Sequence, residues 1–305
     1  MFRKTLFLTL LIALNLAACA PAVPANDAAG LTLTDGLGRT VTLASPAQRV
    51  VSLAPSNTEI LFALGAGDKV VGRDEVSDYP EEVKSLPTVG GWSGFSSEAI
   101  VALKPDLVLA SEINTPELVS ELEDLGLTVY YLPNPKTLED LYVNIETVAT
   151  LTGRDPTKLT DSLKARVTTV DEKIAPLSAR PTVFYEVDAT DPSKPYTVGP
   201  GTFIDLLIGR AGGQNVVTLA GITDPYPQIS LEQLVVAPPD IILLGDALYG
   251  TTAETVAARP GWDSLTAVID GNIFPFDDNL VSRPGPRLVD GLEALAKLLH
   301  PEIFQ

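Results

Sequence analysis

The chain has little of what catalytic and metal-binding sites are usually built from. Among its 305 residues there is one cysteine, Cys19, one histidine, His300, and one methionine, Met1. A single cysteine excludes an intrachain disulfide and any cysteine-rich metal centre. A single histidine leaves almost nothing for zinc ligation or imidazole acid–base catalysis. With all three ligand types scarce, no resident metal or cofactor and no free metal ion as ligand are expected. Basic residues are also few: 21 Lys and Arg stand against 39 Asp and Glu, a formal charge of −18. That balance lacks the basic footprint of a nucleic-acid-binding protein; the acidity itself reads as solubility. Catalytic motifs are missing as well. Gly199-Pro200-Gly201-Thr202 resembles an anion-binding turn before a helix, but it has neither the lysine of a P-loop nor the dinucleotide fingerprint. No Gly-x-Ser-x-Gly elbow occurs, and the chain is expected not to be an enzyme.

What is present begins with an address. Arg3 and Lys4 precede a short apolar run, Thr5 to Leu16, too short to span a bilayer. Leu16-Ala17-Ala18-Cys19 then matches a bacterial lipobox, in which the Cys19 thiol takes up lipid. Residues 1–18 are therefore read as a lipoprotein signal peptide. Residues 19–30, rich in Ala, Pro, Asn and Asp, are read as a flexible tether. No further apolar stretch of helix length follows, so the lipid is the expected anchor.

The most informative feature is an internal repeat. Trp92 to Ala110 aligns without gaps on Tyr226 to Leu244, 134 residues later. Trp92 meets Tyr226, Ser96 meets Ser230, Glu98 meets Glu232, and Pro105-Asp106 meets Pro239-Asp240. Upstream, Glu59 pairs with Asp205 and Gly67 with Gly213 at an offset of 146. The period is too long for a solenoid and points to two lobes of related build. In each copy the serine is placed as a helix N-cap, with the glutamate in the first turn, where the helix dipole favours a carboxylate. The aromatic residue lies on the loop entering that helix.

Elements of α/β type frame the repeat. Leu31–Thr34 and Thr40–Leu43 alternate around a turn and predict a hairpin. Arg49–Leu53 reads as a buried strand, and Ser56–Glu59 as a capping box opening the next helix. Between the copies, Leu159, Leu163, Val167, Val170 and Ile174 recur at helical spacing. They predict one amphipathic helix from Asp155 to Pro176, roughly 33 Å long at 1.5 Å per residue. Thr182–Val187 then opens the second lobe. The resulting organisation is an N-terminal α/β lobe over 31–153, a bridging helix over 154–177 and a C-terminal α/β lobe over 178–305.

Several of these segments resemble one family. Arg49-Val50-Val51-Ser52-Leu53-Ala54-Pro55-Ser56-Asn57-Thr58-Glu59, Val101 to Val108, Gly261-Trp262-Asp263-Ser264-Leu265 and Ser282-Arg283-Pro284-Gly285-Pro286-Arg287 are similar to the periplasmic binding proteins for metal chelates. These are receptors of ABC importers for cobalamin, ferric siderophores and haem, and the resemblance spans about residues 31–300. The cobalamin-binding branch is most similar, through Ser77-Asp78-Tyr79-Pro80, Trp92 with Glu98, and Pro225-Tyr226-Pro227-Gln228 with Glu232. The resemblance implies two Rossmann-like α/β lobes joined by a single long helix, with the ligand in the cleft between them. It implies that Glu98 and Glu232, one per lobe, dock on arginines of a permease dimer served by ATPases. It implies a ligand site at Val76, Tyr79, Trp92, Tyr226, Leu280, Ser282 and Arg283. An internal salt bridge of Arg283 is left open as the alternative to ligand contact. Arg287 is expected to hold the lobe together and Trp262 to lie in the core.

The departures bear on the ligand. Val76 and Leu280 stand where the cobalamin-binding branch has aromatic residues, and Val187-Asp188 ends a strand that ends there in an aromatic. The expected ligand is a cobalamin-type corrinoid, with a ferric siderophore or haem as the alternative. A surface lipoprotein without small-ligand transport is the third reading. The expected setting is the extracytoplasmic face of the cell membrane, with the protein acting as a monomer.

Overall fold

The computed structural model describes residues 30–304. The signal peptide, the lipobox cysteine Cys19 and nearly all of the tether lie outside the described residues.

The first strands form the expected antiparallel hairpin, Leu31–Thr34 with Thr40–Leu43. Asp35 closes its turn. Its carboxylate accepts from the amides of Leu37 and Arg39 and from the Arg39 guanidinium. Burial would raise this carboxyl, but the Arg39 hydrogen bonds and the Tyr131 amide outweigh it and hold it below the usual range. The hairpin docks on the edge strand of the first lobe: Tyr130 Oη donates to the Thr34 carbonyl at 2.9 Å.

Each lobe is a small, mainly parallel sheet. In the first, the order is Val70–Arg73, Val50–Ser52, Leu107–Ser111, Val129–Leu132, all parallel. In the second, Thr182–Asp188 lies beside Ile241–Leu244, which lies beside Ile273–Pro275, again parallel. Two short strands, Tyr196–Thr197 and Gln214–Asn215, flank Thr182–Asp188 on its other side. The strands are buried apolar runs, as expected for sheets covered by helices on both faces. In both lobes the chain moves to one side of its first strand and then returns to the other. The resulting switch points lie beside Ser52 in the first lobe and beside Glu186 in the second. In open α/β sheets ligands bind in the crevice outside the strand carboxyl ends at such points.

Two expectations need correction. The helix after the first strand is Pro55–Ala63, with Ala54 at the N-cap and no side-chain cap. Proline suits the first helical position because its missing N–H has no partner there anyway. Ser56 and Thr58 are therefore buried within the helix, and Thr58 Oγ1 donates to Ser52 Oγ at 2.8 Å. The bridging helix is also shorter than the expected Asp155 to Pro176: it runs Thr157–Ile174, 18 residues, or about 27 Å. Pro156 occupies its N-cap position and Pro176 follows its end, and neither ring can sit inside the hydrogen-bonded ladder.

Leu163, Val167, Val170 and Ile174 of this helix are buried in an apolar cluster that includes Val50, Leu107 and Ile145 of the first lobe and Val183, Leu207 and Leu292 of the second. One core thus runs through both lobes. The outer faces of the two sheets each have a separate cluster, around Ile100 and Leu122 in the first lobe and around Phe184 and Trp262 in the second. Charged contacts fix the helix from outside: Arg166 pairs with Asp290 and Glu293, and Arg210 with Asp171.

The Gly199-Pro200-Gly201 turn is not open to an anion through Gly199, whose amide donates to the Pro225 carbonyl at 2.8 Å. A Cβ at Gly199 would sit 2.1 Å from the Asp224 carbonyl oxygen. Gly199→Ala forces backbone to move, and a loss of about 1–3 kcal/mol is expected in urea unfolding. Unchanged stability would contradict this packing.

Candidate functional site

The lobes face each other across their strand carboxyl ends. A cavity of about 310 Å³ lies between them, at the lower end of small-molecule pocket sizes. Glu112, Asn134 and Lys136 line it from the first lobe; Val187, Tyr226 and Asp278 are among those lining it from the second. Ser282 also lies on this wall. A second hollow of about 100 Å³ in the first lobe is lined by Val76, Trp92, Phe95 and Ile113.

The two aromatic residues of the repeat are both presented to solvent, Trp92 at 84% and Tyr226 at 58% exposure. Trp92 owes this to a miniature hairpin, Gly90–Gly91 with Gly94–Phe95, whose two-residue tip is Trp92-Ser93. Gly90 and Gly94 have φ of 122°, which only glycine adopts readily. The Trp92 amide is held by Glu75 Oε1 at 3.0 Å. Tyr226 follows an Asx turn in which its amide donates to Asp224 Oδ1 at 3.0 Å.

Behind each aromatic the expected cap forms. Ser96 accepts from the Ala99 amide at the start of helix Ser97–Ala102, and Ser230 makes a capping box with Gln233 at the start of Leu231–Val236. Glu98 and Glu232 sit in the first turn of these helices and are both exposed.

The other site residues divide. Val76 lies in the Trp92 hollow and Ser282 in the cavity between the lobes. Leu280 packs against the core that joins the lobes. Tyr79 is turned to a different depression and stacks on Arg287, whose guanidinium carbon is 4.1 Å from its ring centre. Arg283 is committed to an ion pair between lobes, with Asp78 Oδ1 at 2.6 Å and Glu59 Oε1 at 3.8 Å. Burial opposes ionisation of Asp78, but Arg283 prevails and holds its carboxyl below the usual range. Arg287 donates from Nε and Nη2, one edge of its guanidinium, to the two oxygens of the same Glu59, at 3.0 and 2.6 Å. Desolvation pushes the Glu59 carboxyl up against the pull of Arg287, and the bidentate contact holds the pair together.

Sequence reasoning did not single out Lys136, Glu112, Asn134 or Asp278. None stands in a motif, and only the fold brings their loops to the cavity. Lys136 is exposed and makes no ion pair among the described residues. It supplies the cation on the cavity wall that sequence reasoning had sought in Arg283.

A model of the periplasmic binding protein family matches residues 50–280. The chain is 34% identical to the ABC transporter substrate-binding lipoprotein YvrC of Bacillus subtilis, over 90% of this chain and 87% of that protein. It is 31% identical to a cobalamin-binding protein of Halobacterium salinarum, over 93% of this chain and 79% of that one. Among solved structures, the apo form of the periplasmic haem-binding protein RhuT from Roseiflexus superposes with a TM-score of 0.74 at 29% identity, covering 86% of this chain and all of that one.

Loss of one partner from the Glu59–Arg287 pair leaves the other charge stranded. Glu59→Ala is expected to cost about 3–5 kcal/mol in chemical unfolding, with Glu59→Gln costing less. A loss below about 1 kcal/mol, the range of exposed ion pairs, would show that this contact does not tie the lobes.

Proposed function

The chain belongs to the periplasmic binding protein family, and on that footing we propose that it is the lipid-anchored receptor of an ABC importer, capturing a cobalamin-type corrinoid between its lobes. The observation that carries the ligand reading is the pair of exposed aromatics, Trp92 and Tyr226, at matching positions of the two lobes. A conjugated macrocycle gains both area burial and stacking from such rings. It is larger than the cavity and, in this reading, covers its mouth and reaches toward both aromatics, with Lys136 on the cavity wall as the cation for an anionic group. The 31% identity with a cobalamin-binding protein supports the same choice.

Haem is the second reading, favoured by two observations. Val76 and Val187 make the lining less aromatic than in the cobalamin-binding branch, and the fold superposes on a haem-binding protein. Lys136 would then pair with a propionate.

Delivery rests on Glu98 and Glu232. Both are exposed, both stand in the first turn of a short capped helix, and they are related by the repeat. A two-fold permease dimer presents two equivalent basic spots, and one glutamate per lobe meets each. Exposed charge pairs of this kind set orientation and association rate more than affinity. Cys19 carries the lipid that keeps the receptor beside its importer on the extracytoplasmic face, as the lipoprotein name of the Bacillus relative also suggests.

Two measurements test the proposal. Titration with cyanocobalamin, dicyanocobinamide, haemin and a ferric hydroxamate, followed by tryptophan fluorescence, is expected to saturate with the corrinoids. The quenching should shrink in Trp92→Phe, since Trp92 is the exposed tryptophan at 84% and Trp262 is buried at 2%. Saturation by haemin alone moves the protein to the second reading, and no response to any chelate removes the receptor proposal. In proteoliposomes with the cognate importer, Glu98→Ala combined with Glu232→Ala is expected to leave chelate binding intact and abolish stimulated ATP hydrolysis. Full stimulation by the double variant would exclude the docking role.

A further inference from the structure

A buried charge imbalance lies under the cleft face of the second lobe. Glu186, near the end of strand Thr182–Asp188, has 0% exposure; Asp246, just after strand Ile241–Leu244, has 4%. These strands are neighbours, and the switch point of the lobe falls between them. Arg259 donates to both oxygens of Glu186, at 2.5 and 2.7 Å. Asp246 Oδ2 accepts from Thr251 Oγ1 at 2.7 Å. Asp246 Oδ1 is fully buried and has no hydrogen-bond donor. Two carboxyl groups thus share one cation, and one carboxyl oxygen is orphaned. A buried acceptor without a donor is costly, and a lone buried charge more so.

We propose that Glu186 and Asp246 hold one proton between them, and that this shared proton pins the Gly245–Tyr249 turn against the end of strand Thr182–Asp188. The proton supplies the donor that Asp246 Oδ1 lacks and brings the cluster of two carboxyls and Arg259 to neutrality. Two like carboxyls in one site do not both ionise readily. Burial, first, and the adjoining Asp246 push the Glu186 carboxyl up, against the pull of Arg259.

The surroundings reinforce the imbalance. Tyr185 Oη donates to Asp278 Oδ1 at 2.7 Å, and Asp278 lines the cavity between the lobes. Asp277 also acts on Tyr185, whose phenol is pushed up by burial and by these acids, so it stays neutral and leaves the charge of the cluster unchanged. Arg259 is the one cation paired with this cluster among the described residues; it also stacks on Trp262, 4.6 Å from the ring centre.

The turn leaves no slack. A Cβ at Gly245 would lie 2.6 Å from Tyr185 Cε1 and 2.9 Å from the Glu186 carbonyl oxygen. The same turn carries Leu248 and Tyr249, exposed at 59% and 90%. It leaves the sheet between two strands whose own ends bring Val187 and Asp278 to the cavity. Asp246 is thus a positioning residue for the apolar lip of the second lobe.

The direction with pH follows. A carboxyl raised in the folded state gives stability that is complete below its ordinary value, near 4.3 for a glutamate, and is lost as pH rises through the raised value. The Gly245–Tyr249 turn is therefore held most tightly in acid and loosens as pH rises through that raised value.

Infrared difference spectroscopy and hydrogen exchange on the ligand-free protein test this. At mildly acidic pH the wild type is expected to show the carbonyl stretch of a buried protonated carboxylic acid, with slow exchange of amides 245–251. Both should fade as pH rises. In Asp246→Asn the side-chain amide donates in place of the proton. The acid band should be lost and the protection of the turn should become independent of pH, after correction for intrinsic exchange. Glu186→Gln, which keeps a hydrogen-bonding group beside Asp246, should likewise lose the band. Absence of the band in the wild type overturns the proposal, as does its persistence in both variants. Neither readout involves a chelate, so the receptor reading stands or falls separately.

Discussion

The geometry of the cleft depends on a carboxylate from one lobe buried between two arginines from the other. Glu59 belongs to the first helix of the first lobe, and Arg283 and Arg287 lie on the segment that leads into the last helix of the second. Its side chain is 2% exposed, so the contact is desolvated and demands its partners. Asp78 extends the cluster and Tyr79 covers Arg287. With these groups matched, the two sets of strand ends meet at a fixed spacing. The cavity between them exists because that spacing is fixed.

The bridging helix works with this cluster. Its apolar face joins a core that belongs to both lobes, so the lobes cannot part without opening a common interior. A bridge of loose strands would put hinge motion at a few residues. Here the fold resists large hinge motion, and the variable parts are the loops at the strand ends.

Much of this was legible in the sequence. The hairpin, the strand runs, the two serine caps and the repeat follow from periodicity and capping chemistry, which are local. Ser56–Glu59 misled because a capping pattern and a buried ion pair can use the same residue types. The rules for caps contain nothing about Arg287, which is 228 residues away. Arg283 shows the same limit. Its motif is clear, but whether it faces a ligand or Asp78 is decided by the docking of the lobes. Lys136 carried no signal at all, since an isolated lysine after Pro135 looks like any solvated surface charge. The bridging helix was found, but its ends were set by two prolines that the apolar pattern does not register.

The Trp92 hairpin has a consequence for how such a receptor changes. Its side chain stands at the tip of two residues held by glycines and one glutamate contact, apart from any core. The aromatic surface that we propose meets a chelate is therefore separable from the folding of the lobe. Residues at that tip can be exchanged while the cores and the cluster around Glu59 remain as they are, which on the proposed ligand role redirects the range of cargo.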